Sequence, residues 1–507
     1  MNPASRWFGP LLVGLLALVT RVATSARYWG WEEEDFTNIN LTWDIARRGI
    51  GDFPQEYPPV YYGVSAVLTG VLGDAELATR SLTLVSGVAL CVLVFLLGRR
   101  LFSERAGWAA GLLCVVQPQL LLYSSTPLRE PFYAALSLLG LLLLMERRHL
   151  GAALAFALTA LTRYEAWFSN VPFGLAAGWR TDAPRARAVF APLALYVAFG
   201  LAWVVYVGWT TGVWNPLGST FAMNVTDAPT ADRTGFLDWA ASGARVELAF
   251  LFTVVPAMLG PVLPIAAVVA AGRGVMDTEH GELRLASLYC LAQLGLMAGI
   301  VFIGQFDPPN HPLYLKWSVL ACALTCLFGC GGLDALLGRI AGRRWWSRAA
   351  IVGVLLLTLI PFAVEFGAET RRSDRTVRPQ VEIANWIEMA YPRGTTFLLD
   401  QITLFQLDRR DHGFDMLQWQ FLPPWGDDGR GWAAGPEQLG RFLAEREVAL
   451  VLWCREEWTQ GPVIAPYLAE PKNHSLGPVE LRLIHADDAY GFRLYSVIRA
   501  PRGTRPR

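Results

Sequence analysis

The chain has 507 residues, 53% of them hydrophobic and only 17% charged. Charge this sparse, set between long apolar runs, describes a polytopic α-helical membrane protein. The formal net charge of +0 excludes a global attraction to nucleic acid. Cysteine use excludes a disulfide framework in the polar C-terminal part, because Cys454 stands alone there while Cys91, Cys114, Cys290, Cys322, Cys326 and Cys330 lie in apolar runs.

In chain order, apolar runs predict spans near 8–26, 78–98, 106–123, 131–146, 150–163, 166–179, 188–209, 246–271, 285–304, 317–338 and 349–366, about 11 transmembrane helices. The fifth and sixth are short for full crossings and fit a re-entrant pair. Arg99, Arg100, Arg105, Arg147, Arg148, Arg180, Arg185, Arg187, Arg273, Arg284, Arg339, Arg343, Arg344 and Arg348 all fall on one side of this map, with Arg6. The positive-inside rule makes that side cytoplasmic in a plasma (inner) membrane, so the N-terminus is inside and the C-terminal segment is outside.

Glu32, Glu33, Glu34 and Asp35 follow directly on the first span. Carboxylates beside lipid are costly and are functional candidates by default. The first outer loop, 27–76, holds two further elements. Residues 35–48 place Phe36, Ile39, Trp43 and Ala46 near helical spacing, which predicts an amphipathic interfacial helix. Beyond Pro58 and Pro59, residues 60–72 are apolar but too short to span, which predicts a second such helix.

Residues 1–369 are therefore expected to form the membrane domain and residues 370–507 a separate extracytoplasmic domain. In the latter, 381–391 reads as a helix ended by Pro392 and Gly394. Strand-like runs at 395–400, 448–454 and 490–498, with a helix at 436–446, predict a small α/β domain.

The motifs that carry chemistry lie in outer loops. They are Trp31-Glu32-Glu33-Glu34-Asp35-Phe36, Gln55-Glu56-Tyr57-Pro58-Pro59, Thr126-Pro127-Leu128-Arg129-Glu130-Pro131, and Leu161-Thr162-Arg163-Tyr164-Glu165. Together their order and sidedness resemble the GT-C glycosyltransferases, in particular the branch of protein O-mannosyltransferases and lipid A aminoarabinose transferases. The resemblance is strongest over residues 8–180. It implies that Glu32 and Glu33 stand at the family's acidic pair, that Glu56 matches the acid before Pro-Pro, and that Glu130 matches the acid of the second outer loop. Phe36 replaces a Tyr of the motif. Tyr57 replaces a Lys of the aminoarabinose branch, so phosphate contacts are expected from Arg80, Arg129, Arg163 and Lys316.

The resemblance implies transfer of a sugar from a polyprenyl-phosphate-linked donor to an extracytoplasmic acceptor, which is a lipid, glycan or protein. Such a transfer needs a carboxylate base for the acceptor proton. It also needs cations, or a divalent metal ion, for the departing phosphate. Glu32, Glu33 and Glu130 are the catalytic candidates; Glu56, Tyr57, Arg80, Arg129, Arg163 and Lys316 are the substrate-binding candidates. Glu56 and Glu130 are the metal-ligand candidates. A single displacement with inversion follows if one carboxylate acts as base. Simpler roles fit the same residues. Acids favour helix N-termini, Arg80 suits snorkelling to headgroups, and Arg163 with Glu165 suits an ion pair at a helix end. Two other functions share the map. An oligosaccharyltransferase-like ligase would use a larger donor, but the Trp-Trp-Asp-type motif is missing from the sequence. A transporter or flippase of lipid-linked sugar would favour mid-membrane charges and repeated halves.

Overall fold

The computed structural model describes residues 3–26, 33–49, 58–167, 185–211, 214, 245, 248, 250–304, 318–340, 344–399, 415–418, 435–454, 468–487 and 492–499. The chain forms two compact units, residues 1–28 with 41–369 and residues 29–40 with 370–507.

The first unit is helical. Its N-terminal part comprises α1 (Pro3–Ser25), α2 (Glu33–Arg48), α3 (Val60–Leu72), α4 (Ala75–Leu101), α5 (Glu104–Val116), α6 (Pro118–Tyr123), α7 (Glu130–Met145) and α8 (His149–Ala160). The unit boundary falls within α2. Helices Arg185–Thr211, Val262–Met276, Gly281–Gly304 and Val319–Ile340 follow. Local chemistry sets the ends. Asp74 caps α4 by accepting from the Leu77 N–H at 2.9 Å, and Ser103 caps α5 by accepting from the Ala106 N–H at 3.0 Å. Among the described residues three helices are long and apolar enough to cross a membrane, Trp7–Ser25, Ala75–Leu101 and Val319–Gly338. Shorter apolar helices, α3, α7 and α8 among them, accompany these. The protein is thus a multi-pass membrane protein. Helix α4 is central, packing against α1, α3, α5, α7 and the helix Val319–Ile340.

Three expectations need correction. The run 106–123 is two helices, α5 and α6, because Pro118 removes a backbone donor and Gln117 turns extended. The run 246–271 is also broken. A π-helical turn, Phe250–Val254, leads into Val255–Leu259, then Gly260 turns at φ 68 before Pro261 starts the next helix. A Cβ at Gly260 would lie 2.5 Å from the Leu357 carbonyl oxygen, so only glycine fits this break. Third, the span 349–366 and the helix 381–391 are one 47-residue helix, Arg344–Ala390. The polar stretch between them ends the hydropathy signal but not the helix. The predicted span at 166–179 lies mostly outside the described residues.

The second unit holds a six-stranded mixed sheet, β1 (Thr396–Leu399), β2 (Asp415–Gln418), β3 (Val448–Cys454), β4 (His474–Leu476), β5 (Val479–Asp487) and β6 (Phe492–Arg499), in the order β2-β1-β3-β6-β5-β4. β1 runs parallel to β2 and β3, and the remaining pairs are antiparallel. Alternation sends Phe397, Leu399, Leu450, Leu452 and Leu494 to one face, against Ile383, Ala384 and Ile387 of the long helix. The other face sends Leu398, Val451, Trp453 and Tyr495 against Leu439 and Leu443 of the helix Pro436–Glu445. β2, β4 and β5 were not expected from the sequence.

Candidate active site

The segment from Gln117 to Leu128 is buried at every residue. Connections normally run over the surface, because buried backbone polar groups must be satisfied. Here side chains satisfy them. The Gln117 side chain accepts from the Leu120 N–H at 2.7 Å and donates to the Met258 carbonyl at 3.2 Å. Thr83 Oγ1 donates to the Leu128 carbonyl at 2.9 Å and takes a hydrogen bond from the Tyr61 hydroxyl at 2.8 Å. Arg80 Nη1 donates to the Ser125 carbonyl at 3.1 Å, while its Nε donates to Glu76 at 2.9 Å. A second-loop platform results, and it delivers Arg129 and Glu130 to the start of α7.

Glu130 is the first residue of α7, where the positive end of the helix favours a carboxylate. Arg163 sits on the turn after α8, fixed by its N–H to the Thr159 carbonyl at 2.9 Å. Its guanidinium bridges two carboxylates. Nη1 donates to Glu130 Oε1, Nη2 to Glu165 Oε1 at 2.6 Å, and Nε to Glu165 Oε2 at 3.1 Å. Arg163 is 6% exposed and Glu130 1%. The pairing with Glu165 is the bidentate fork that suits Arg. Burial opposes ionisation of Glu165, but the charge and hydrogen bonds of Arg163 prevail and hold its carboxyl below the ordinary value.

Glu130 Oε2 is buried and has no hydrogen-bond partner. Glu130 lines a small cavity with Tyr133, Arg163, Glu165 and Gln293. The rest of its lining is apolar, from Leu296 and Met297 of the helix Gly281–Gly304 and from Val319, Leu320 and Ala321. A buried carboxylate oxygen without a donor is costly unless a ligand supplies one. The cavity also carries one more carboxylate than guanidinium, which suits a neutral or cationic donor group rather than a second anion.

Beside it stands an aromatic cluster of Tyr61, Tyr62, Tyr164 and Trp203. Arg129 Nη1 donates to the Tyr62 hydroxyl at 3.3 Å, and Trp203 Nε1 donates to the Tyr164 hydroxyl at 2.9 Å. The Val60 N–H bonds the Leu161 carbonyl at 2.9 Å, which joins the start of α3 to the turn carrying Arg163.

The structure thus brings Glu130 and Arg163 together, with Arg129 just before Glu130 on the loop and Arg80 of α4 bonded to the loop at Ser125. Glu32, Glu56, Tyr57 and Lys316 lie outside the described residues, as does the side chain of Glu33. Among the described residues no group of three His, Cys, Asp or Glu could hold a metal ion. Glu130 and Glu165 are already bridged by the Arg163 guanidinium, so these two carboxylates do not form a metal pair; the expected pair of Glu56 with Glu130 includes a residue outside the described ones. Glu165 was expected only as an ion-pair partner, and no local motif points to Arg21, Tyr133 or Gln293. An arginine inside the first apolar run was the available signal for Arg21.

The fold is that of the GT-C membrane glycosyltransferases. ArnT from Cupriavidus metallidurans in the apo state is similar with a TM-score of 0.61 and 13% identity, over 98% of this chain and 98% of that one. ArnT of the same organism bound to undecaprenyl phosphate is similar with a TM-score of 0.59 and 13% identity, over 96% and 97%. The Archaeoglobus fulgidus oligosaccharyltransferase in the apo form is similar with a TM-score of 0.59 and 11% identity, over 93% of this chain and 74% of that one. No protein-family model matches the sequence, and no curated protein matches it.

Proposed function

We propose that this protein is a membrane glycosyltransferase that moves a sugar from a polyprenyl-phosphate donor to a hydroxyl-bearing acceptor on the extracytoplasmic face. The observation that carries the reading is the Glu130 carboxylate. One oxygen is fixed by Arg163, and the other is buried, unpartnered and on a cavity wall. The likeness to ArnT with undecaprenyl phosphate bound supports a lipid-phosphate donor.

In this reading the acceptor hydroxyl donates to Glu130 Oε2. Its oxygen attacks the anomeric carbon while the proton passes to the carboxylate. The bond from the anomeric carbon to the phosphate oxygen breaks, and polyprenyl phosphate leaves with the electron pair. One displacement inverts the anomeric centre. Arg163 is better suited to orienting Glu130 than to binding phosphate, since both of its faces are occupied by carboxylates. Arg129, beside Tyr62, and Lys316 then take the phosphate, with Arg80 holding the loop beneath. Glu32 and Glu33 supply the acidic pair that the family resemblance assigns to catalysis, and Glu56 with Tyr57 lines the donor side. The N-terminus is cytoplasmic and the second unit extracytoplasmic.

The test is mass analysis of envelope glycans and glycolipids from cells with and without the protein. One sugar should disappear from one acceptor, with its lipid-linked donor accumulating. Passage of lipid-linked sugar across vesicles with no glycosidic bond formed would favour the flippase instead.

A further inference from the structure

Arg21 is among the largest fully buried side chains described, at 0% exposure, and it lies inside a candidate membrane span. A charge in that position is expensive and needs compensation. Among the described residues no carboxylate is one of its partners. Nη2 donates to the carbonyls of Cys114 and Leu120, each at 3.4 Å, and to Cys91 Sγ at 3.3 Å; Nη1 donates to the Ala17 carbonyl at 3.4 Å. Cys114 is in the last turn of α5, and Leu120 belongs to the six-residue α6. The Cys114 carbonyl lies where a helix end leaves an acceptor unused, because Pro118 four residues on has no N–H, and the Leu120 carbonyl, which also accepts from the Ser124 hydroxyl, lies in the short helix beyond it; both carbonyls present the negative end of a peptide dipole. The guanidinium therefore joins the end of α5 to α6 across the break at Gln117 and Pro118. Its backbone takes part too, since the Ser125 hydroxyl shares its one proton between the Leu121 carbonyl at 2.7 Å and the Arg21 carbonyl at 3.3 Å. Gly87 leaves the space for this arrangement, because a Cβ there would lie 2.8 Å from Arg21 Nε and 2.2 Å from Ser124 Cβ.

We propose that Arg21 is a positioning residue for the second outer loop: its buried charge, balanced by backbone carbonyls, fixes the segment 118–128 and so sets where Arg129 and Glu130 stand. It touches neither substrate nor cavity. A polar group retained at this cost has an effect that an apolar side chain of similar length does not reproduce. Met fills the volume but bonds no carbonyl, whereas Lys keeps the charge and reaches fewer acceptors.

The activity arm of the test rests on the glycosyltransferase reading, and the exchange arm does not. Wild-type protein and the variants Arg21→Met, Arg21→Lys and Ser125→Ala are prepared full-length in nanodiscs. Amide hydrogen exchange is followed by mass spectrometry. Arg21→Met should speed exchange across 118–128 by about 10-fold or more while β3 and β6 keep their protection. Arg21→Lys should fall between Met and wild type. Sugar transfer by Arg21→Met should lose about 100-fold in kcat, as a small misplacement of a catalytic group does. KM for the donor should stay within about 2-fold, since no donor contact is removed. If Arg21→Met does not fold, Ser125→Ala provides the decision, with the same local increase in exchange at smaller size. Unchanged exchange at 118–128 in folded Arg21→Met, or in Ser125→Ala, overturns the proposal. A rise in KM with unchanged kcat overturns it equally. If wild-type protein transfers no sugar, the functional reading fails, and the exchange results still decide the role of Arg21.

Discussion

Two ionic clusters tie helices together in the first unit, and they differ in what they leave over. At the end of α4, Arg100 grips Glu282 through two hydrogen bonds of 2.7 and 2.8 Å and donates a third to the Met145 carbonyl at 3.0 Å. Nearby Ser103 donates to Asp334 at 2.6 Å. Arg100 is 32% exposed and Glu282 49%. Solvent screens this cluster, and both Glu282 oxygens are bound. At the start of α7 the geometry reverses. Arg163 and Glu130 are nearly sealed from water, and Glu130 keeps one oxygen unbound beside a cavity. A structural clamp satisfies its groups, whereas a site built to receive something leaves one group waiting. The first cluster therefore serves as fastening, and the second is the candidate for the proposed chemistry.

The contrast can be broken most severely at Arg163. Arg163→Met leaves two carboxylates without their cation, one of them deeply buried. The expected loss is about 3–5 kcal/mol of stability, read as a lowered unfolding midpoint in detergent, together with loss of transfer. A midpoint near wild type would mean that Glu130 and Glu165 do not depend on this cation. Replacing the fastening cluster should do far less. Arg100→Ala should cost under about 1 kcal/mol, become smaller still in high salt, and leave transfer rates alone. A large activity loss there would erase the distinction between the two clusters.

The smallest expected effect lies in the second unit. His474 in β4 is 2% exposed, and burial lowers its pKa. Its Nε2 donates to the Glu470 carbonyl at 3.1 Å, which fits the neutral ring. The unfolded chain then takes up a proton near the usual value of about 6.5, before the folded chain does. Its contribution is complete above that pH and is lost as pH falls below it. Hydrogen exchange of β4 and β5 should accelerate modestly on acidification from neutrality, and His474→Gln should flatten that response. Equal acid sensitivity in both proteins would remove His474 as the cause.

Some of this was legible from residues alone, and the reasons are local. Helix α3 follows from an apolar run bounded by Pro59 and Gly73, and β3 from an unbroken apolar stretch of strand length. The breaks at Gln117–Pro118 and Gly260–Pro261 were marked by their prolines, but continuous hydropathy across them hid the signal. β5 carries a period-2 pattern in Val479, Leu481 and Leu483 that marks it as a strand. β2 and β4 are short edge strands, and little in such segments distinguishes them from loops. At the site, Glu130 could be singled out as an acid at a span entrance, and Arg163 with Glu165 as a local pair. That Arg163 reaches back 33 residues to Glu130 is a tertiary fact that no local spacing encodes.

The central claim is that Glu130 performs the proton transfer while Glu165 only steadies Arg163. Its most direct test is single-turnover transfer from a synthetic polyprenyl-phosphate sugar in proteoliposomes, with envelope lipid extract as acceptor, comparing wild type, Glu130→Gln and Glu165→Gln. Glu130→Gln should lower the rate by about 10²–10⁴-fold with a folded protein and retained donor binding, and Glu165→Gln should lower it much less. Transfer at the wild-type rate by Glu130→Gln would contradict the account.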